Sequence, residues 1–346
     1  MSEVIFTTKP GAGGDIGKIV LNRPQQLNVL TFSMCESIYR QLQQWSHAPA
    51  IKAVIIASSS ERAFCAGGDV RAIYELCVNG EYAQALKFFQ QEYAMNQAIF
   101  EFPKPYIAFL DGITMGGGVG LSIHGSHPIA TEHLVWAMPE TRIGFFPDVG
   151  AGYHLARLPH HLGYYLALTG ERLTASDAYN LALVKAIIPR HRLPELEHRL
   201  ITTPFDSTDF AAVTQLINQF HHQPVKNSSL MDIPRDQIDR YFSRPYLEDI
   251  VNDLQQSGDL RLQKTADNLL AQSPLSLKIT YEHLNHCQQF DFHQVLAETN
   301  RLVKNFLHAH DFVEGVRALL IDKDHNPHWQ PSTLAKISQE MLQSYF

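Results

Sequence analysis

An α/β layered core followed by a mostly helical C-terminal region is the fold class this sequence predicts, and three observations carry it. Short apolar, β-branched runs alternate with helix-periodic segments through the first 200 residues. Gly, Pro and Asn punctuate the joints between them. After about residue 205 the strand signal fades, and residues 245–320 read as helix.

The elements follow in order. Residues 16–21 (IGKIVL) read as a strand that stops at Asn22-Arg23-Pro24. A helix is predicted from Thr31, which can cap it; Met34, Ile38, Leu42 and Trp45 recur at helical spacing. Ile51 to Ala57 is a buried strand, and Phe64-Cys65-Ala66-Gly67-Gly68-Asp69 is a turn beyond it. Residues 81–100 form an amphipathic helix with Tyr82, Leu86, Phe89 and Tyr93 on one stripe, ended by Pro103 and Pro105. Tyr106 to Leu110 is a further buried strand, running into Met115-Gly116-Gly117-Gly118-Val119-Gly120 and a helix-like segment. Ile129–Thr131 and Leu134–Trp136 read as short strands before a loop that holds Pro139-Glu140 and Phe146-Pro147-Asp148. In the helical region Pro274 suits the first position of a helix, and Leu296, Leu302, Val303, Phe306 and Leu307 give a buried face. The expected division is a core over residues 1–205 and a helical extension over 206–346 packed on it.

Composition narrows the classes of function. The 346 residues carry 28 Lys and Arg against 35 Asp and Glu, a net charge of −7 that argues against a general nucleic-acid binder. Cys35, Cys65, Cys77 and Cys287 are far apart with no CxxC pair, which disfavours a disulfide framework or zinc site and fits a reducing compartment. No run of about 18 apolar residues predicts a membrane span. Ser2-Glu3-Val4-Ile5-Phe6 does not read as a secretory signal. The expectation is a bacterial cytoplasmic protein, or one of the mitochondrial matrix if a presequence has been removed. His283 with His286 and His308 with His310 come nearest to metal-ligand pairs, without a His-Glu-x-x-His pattern, and no metal is expected. No GxSxG elbow, GxGxxG fingerprint or P-loop is present.

Two constellations can carry chemistry. The Gly67-Gly68 and Gly116-Gly117-Gly118 turns each follow a strand and lead into a helix. Backbone N–H groups at such turns are unused donors that can converge on an oxyanion. The same glycines equally suit plain tight turns. Glu140 and Asp148 lie in a loop with Phe145, Phe146 and Pro147. Desolvation there would raise a carboxyl pKa and suit it to acid–base or nucleophilic work, whereas the plainer reading is a solvated loop carboxylate. Glu92, beside the apolar stripe of its helix, reads most simply as a surface residue. Cys65 lacks an evident base and reads as a small buried residue.

Phe64-Cys65-Ala66-Gly67-Gly68-Asp69 and Ile113-Thr114-Met115-Gly116-Gly117-Gly118-Val119-Gly120 resemble the crotonase (enoyl-CoA hydratase/isomerase) superfamily. Leu21-Asn22-Arg23-Pro24 through Leu27-Asn28-Val29-Leu30 fits it too. Ala137-Met138-Pro139-Glu140-Thr141, Ile143–Gly150, Tyr164–Gly170, Glu314–Ala318 and Leu320–Asp324 fit a thioester-hydrolysing branch of it, so the likeness covers nearly the whole chain.

That resemblance implies a crotonase-type spiral of ββα units with a helical C-terminal region. It implies an acyl-CoA substrate and an oxyanion hole from the N–H groups of Gly68 and Gly117. It further implies Glu140 and Asp148 as the acidic catalytic pair, and Glu92 as a substrate contact. Glu140 would attack the thioester carbonyl or activate a water; Asp148 would hold a 3-hydroxyl or handle the protons of water. The activity implied is hydrolysis of a β-hydroxyacyl-CoA, a step in valine breakdown, with CoA as part of the substrate and no separate cofactor. Trimers and hexamers are common in the superfamily, and neither nucleic acid nor membrane is an expected partner. Hydratases of the superfamily carry a Glu where this chain has Gly120, so hydration of an enoyl-CoA is the nearest alternative activity. A non-catalytic CoA-ester-binding protein is the alternative from another class.

Overall fold

The computed structural model describes residues 2–223, 231 and 233–346. Its packing divides the chain into two compact units, each assembled from separate stretches. The first comprises the described residues of Met1–Gly68, Gln91–Trp136 and Leu173–Leu230; the second those of Asp69–Gln90, Ala137–Arg172 and Met231–Phe346. This is a different cut from the one that secondary-structure type alone draws at residue 205.

The first unit is built on a six-stranded sheet in the order β1-β2-β3-β5-β7-β9. These strands are β1 (Val4–Lys9), β2 (Asp15–Leu21), β3 (Ile51–Ser58), β5 (Tyr106–Leu110), β7 (His127–Ala130) and β9 (Ala186–Ile187). Only β1 and β2 pair antiparallel; the remaining neighbours are parallel. β4 (Ala63–Cys65), β6 (Ile113–Met115) and β8 (Val135–Ala137) make a second sheet of three strands. Parallel strands covered on their faces read as continuous apolar runs, which is why β3 and β5 are legible as buried. Alternate residues of the large sheet, Ala53 and Ile55, Ile107 and Phe109, face Leu196, Leu200, Val213 and Ile217 in one apolar cluster. Each Ile, Leu, Val or Phe among them contributes about 1.5–3 kcal/mol when withdrawn from water.

Helix α1 (Phe32–His47) starts where expected: Thr31 accepts from the Met34 amide, and Met34, Ile38, Leu42 and Trp45 are buried. Asp69 caps α2 (Val70–Val78), and α3 spans Tyr82–Phe100. The helix-like segment after Met115 is only the four residues Gly117–Gly120. The edge strand β1 was not anticipated; most of its residues are not buried, so no alternating pattern marks it.

The second unit is helical. Ser273 caps Pro274–Cys287 with proline in the first turn, as expected, and Phe292–Phe306 buries Leu296, Leu302, Val303 and Phe306. No described helix is long and apolar enough to cross a membrane. The four cysteines are buried free thiols.

Asn28 links fold to function in the first unit. Asn28 is fully buried with φ 54°, a left-handed conformation that Asn tolerates better than most residues. Its Oδ1 accepts from the Arg23 amide, and its Nδ2 donates to Ser58 Oγ (2.6 Å) and to the Phe64 carbonyl (3.1 Å). Two residues on, the Leu30 amide donates to the Gly67 carbonyl. Asn28 therefore ties the entry loop to the glycine turn. Asn28→Ala removes this link between the Arg23 amide, Ser58 and the Phe64 carbonyl and is expected to cost about 2–4 kcal/mol in urea unfolding. A loss under about 0.5 kcal/mol would remove it as a tie.

Candidate active site

In the first unit the two glycine turns converge. A side chain built on Gly67 would put its Cβ 3.6 Å from the Met115 carbonyl and 4.0 Å from the Gly117 nitrogen. One built on Gly117 would lie 3.3 Å from the Gly68 nitrogen. A residue's own N and Cβ are about 2.5 Å apart, so the Gly68 and Gly117 nitrogens are no more than roughly 6 Å apart. One oxygen can bridge that span with two hydrogen bonds of about 2.9 Å. No hydrogen bond among the described residues uses the amide of Gly68 or Gly117. Close approach is what demands glycine here. A Cβ on Gly118 would sit 2.2 Å from the Cys65 carbonyl, and Gly67 and Gly116 have φ of 121° and 49°.

Glu92 lies beside the second of these turns. It is 2% exposed, and its Oε1 lies 2.3 Å from where a Gly117 Cβ would be. The surface-residue reading of Glu92 is thus overturned. The apolar face of α3 is wider than its stripe suggests and takes in Ala85, Phe88, Met95 and Ile99. Burial pushes the Cys65 thiol up to about 12, and the Glu92 charge adds to the rise. Cys35 is raised well above its ordinary range by the same two causes. Both thiols stay protonated at neutral pH, so neither is a nucleophile.

In the second unit, Glu140 opens a short 3-10 helix, Glu140–Ile143, directly after Pro139. Glu140 is 7% and Asp148 6% exposed, so neither is a solvated loop carboxylate. Long-range packing buries them. Phe145 stacks on Phe89 and packs against Phe146, Phe306 and Phe312, with centroids 4.8–5.4 Å apart. Thr141 and Arg142 anchor the turn by donating to the Leu168 and Thr169 carbonyls. A Cβ on Gly144 would strike the Asp311 carbonyl, and one on Gly315 the Ile143 backbone, so the turn lies flush against the chain near residue 311. Val149, next to Asp148, has φ 49°. A β-branched residue there stores on the order of 1–3 kcal/mol of strain, and such strain gathers at functional loops.

Three features had no sequence signal strong enough to name. Val149's backbone is one. The second is the buried hydrogen bond between His283 Nδ1 and Glu298 at 2.8 Å, the imidazole ring edge-on to Phe146. The third is Asn96, one helical turn beyond Glu92 and fully buried; its i,i+4 spacing from Glu92 is the only hint the sequence holds. The histidines expected to be structural include this His283. Among the described residues no group of three His, Cys, Asp or Glu is placed to hold a metal ion.

The family model described as enoyl-CoA hydratase/isomerase matches residues 16–346. The chain is 41% identical over 348 residues to a protein of Danio rerio named "3-hydroxyisobutyryl-CoA hydrolase, mitochondrial", covering 100% of this chain and 89% of that one. The Homo sapiens protein of the same name is 40% identical, over 96% of this chain and 86% of its own length. Among solved structures, a carnitinyl-CoA dehydratase from Mycobacterium thermoresistibile superposes with a TM-score of 0.88 at 32% identity, covering 99% of this chain and 96% of that one.

Proposed function

The chain belongs to the enoyl-CoA hydratase/isomerase family, and from that premise we propose that it hydrolyses the thioester of 3-hydroxyisobutyryl-CoA to 3-hydroxyisobutyrate and CoA. The observation that carries the reading is nearly full-length identity of 40–41% with proteins named for that hydrolysis. Gly120 supports it: the position is buried in the Gly117–Gly120 turn and has no side chain. Hydration of an enoyl-CoA needs a base for water and an acid for the α-carbon, and no carboxylate stands there to share the work.

The chemistry assigned to each residue follows. The Gly68 and Gly117 amides take the thioester oxygen and stabilise the charge it gains. Glu140 attacks the carbonyl carbon. The tetrahedral intermediate collapses to an acyl-Glu140 anhydride, and the C–S bond electrons leave with CoA thiolate, a good leaving group that needs little acid help. Water then attacks the anhydride. Asp148 takes its proton, the acid departs, and the Glu140 carboxylate is restored. Glu92 hydrogen-bonds the substrate. No metal or redox group enters the balance. Valine breakdown is the setting this substrate implies. The relatives' names favour the mitochondrial matrix over the bacterial cytoplasm.

The test is release of free thiol from 3-hydroxyisobutyryl-CoA beside hydration of crotonyl-CoA. Thiol release at least about 100-fold faster than hydration is expected. Hydration without thiol release would replace the reading with an enoyl-CoA hydratase. Tight binding with neither reaction would leave a CoA-ester-binding protein.

A further inference from the structure

The Asn96 side chain is 0% exposed, and neither its Nδ2 nor its Oδ1 has a hydrogen-bond partner among the described residues. A folded protein rarely leaves both ends of a buried carboxamide unmet, because each unmet group keeps its full desolvation cost. Such a side chain is held ready for something that arrives. Its position says what. Asn96 lies four residues after Glu92 on α3, and residues so spaced share a helix face with Cβ atoms about 5–6 Å apart. Helical side chains lean toward the N-terminal turn, which brings the Asn96 amide back toward the Glu92 level. Glu92 Oε1 in turn sits beside Gly117, whose amide is assigned to the thioester oxygen.

We infer that Asn96 is the residue that reads the 3-hydroxyl of the acyl group; this rests on the hydrolase reading proposed above. A hydroxyl both donates and accepts, and the carboxamide offers one complement of each: Oδ1 accepts a hydrogen bond from the hydroxyl and Nδ2 donates to its oxygen. The 3-hydroxyl stands three bonds from the thioester carbon, a few ångströms beyond the oxyanion amides, in keeping with one helical turn. An acyl group without the hydroxyl leaves the buried amide unmet. That is how a polar site rejects an analogue far more strongly than an apolar pocket rejects a methylene.

The experiment compares thiol release from 3-hydroxyisobutyryl-CoA and isobutyryl-CoA by the wild-type protein and Asn96→Leu. Leucine matches asparagine in shape, and replacing an unmet buried amide with it should leave the melting temperature unchanged or higher. The expected result is a loss of about 10- to 100-fold in kcat/KM on the hydroxylated ester, with kcat/KM on isobutyryl-CoA held within about threefold. Equal losses on both esters, or no loss on either, would each overturn the inference. If Asn96→Leu does not fold, the crystal structure of Glu140→Gln bound to 3-hydroxyisobutyryl-CoA decides. The substrate hydroxyl belongs within about 3 Å of the Asn96 amide, and a hydroxyl bound elsewhere refutes the assignment. Wild-type protein that releases thiol from neither ester removes the hydrolase reading and this inference with it. An active wild-type enzyme with unaltered discrimination in the variant removes the inference alone.

Discussion

Glu140→Gln is expected to lower thiol release from 3-hydroxyisobutyryl-CoA by at least about 10³-fold. An amide has nearly the shape of a carboxylate but neither its charge nor its nucleophilic oxygen. The Glu140–Ile143 turn is fixed by its neighbours, through Thr141 and Arg142 on the Leu168 and Thr169 carbonyls and the Phe145 ring stack. The substitution should therefore leave the fold and the binding of CoA esters near wild type. Steady-state thiol release, with binding of the unreacted ester measured by calorimetry, reads both quantities. A variant within tenfold of wild-type turnover sinks Glu140 as the reacting group. The direct-attack route makes a second demand. One turnover of wild-type enzyme in ¹⁸O-water should leave label in the Glu140 carboxylate, because water can expel the acyl group from the anhydride by attacking the protein carbonyl as well. Label confined to product through repeated turnovers would favour Glu140 as base to a water.

The legibility of these residues from sequence divides along physical lines. Local periodicity and capping encode α1 and the buried strands β3 and β5, so Thr31, Met34, Ile38 and the Ile51–Ala57 run predict themselves. The glycine turns are visible as turns, but that Gly68 and Gly117 face each other depends on separate strands lying side by side, β4 beside β6. The family likeness supplies what spacing does not. Glu92 misleads for a plain reason: a carboxylate next to an apolar stripe normally faces water. Only the close packing around Gly117 shows that it does not. Glu140 and Asp148 are alike in this, because Phe306 and Phe312, which close over Phe145, stand more than 150 residues away in sequence. β1 and the left-handed Val149 follow from tertiary demands that no window of neighbouring residues records.

Gly117→Ala should be the more telling loss, since it changes one methyl and no charge. That methyl would stand 2.3 Å from Glu92 Oε1, 3.1 Å from Leu30 Cδ1 and 3.3 Å from the Gly68 nitrogen. The first distance forces Glu92 to move, and the third puts carbon in the space where the thioester oxygen would meet the Gly68 amide. Removing one oxyanion donor costs other enzymes about 10²–10³ in turnover, and here both proposed donors and the proposed Glu92 contact would be disturbed together, so a fall of at least about 10²-fold is expected. The backbone at Gly117 is not in the left-handed region, so the penalty is steric, and overpacking should take about 1–3 kcal/mol from stability. Gly80→Ala separates the general cost of losing a glycine from this specific one. Gly80 has φ 76° with nothing within 4 Å of its Cβ position, so that variant should lose stability to backbone strain and keep its turnover. The comparison is thiol release by both variants, each checked by urea unfolding. If Gly117→Ala stays folded and within threefold of wild type, the Gly117 amide is not the group that holds the developing oxyanion. If only Gly117→Ala fails, the loss belongs to the space between Gly68, Gly117 and Glu92 and not to the flexibility of the chain.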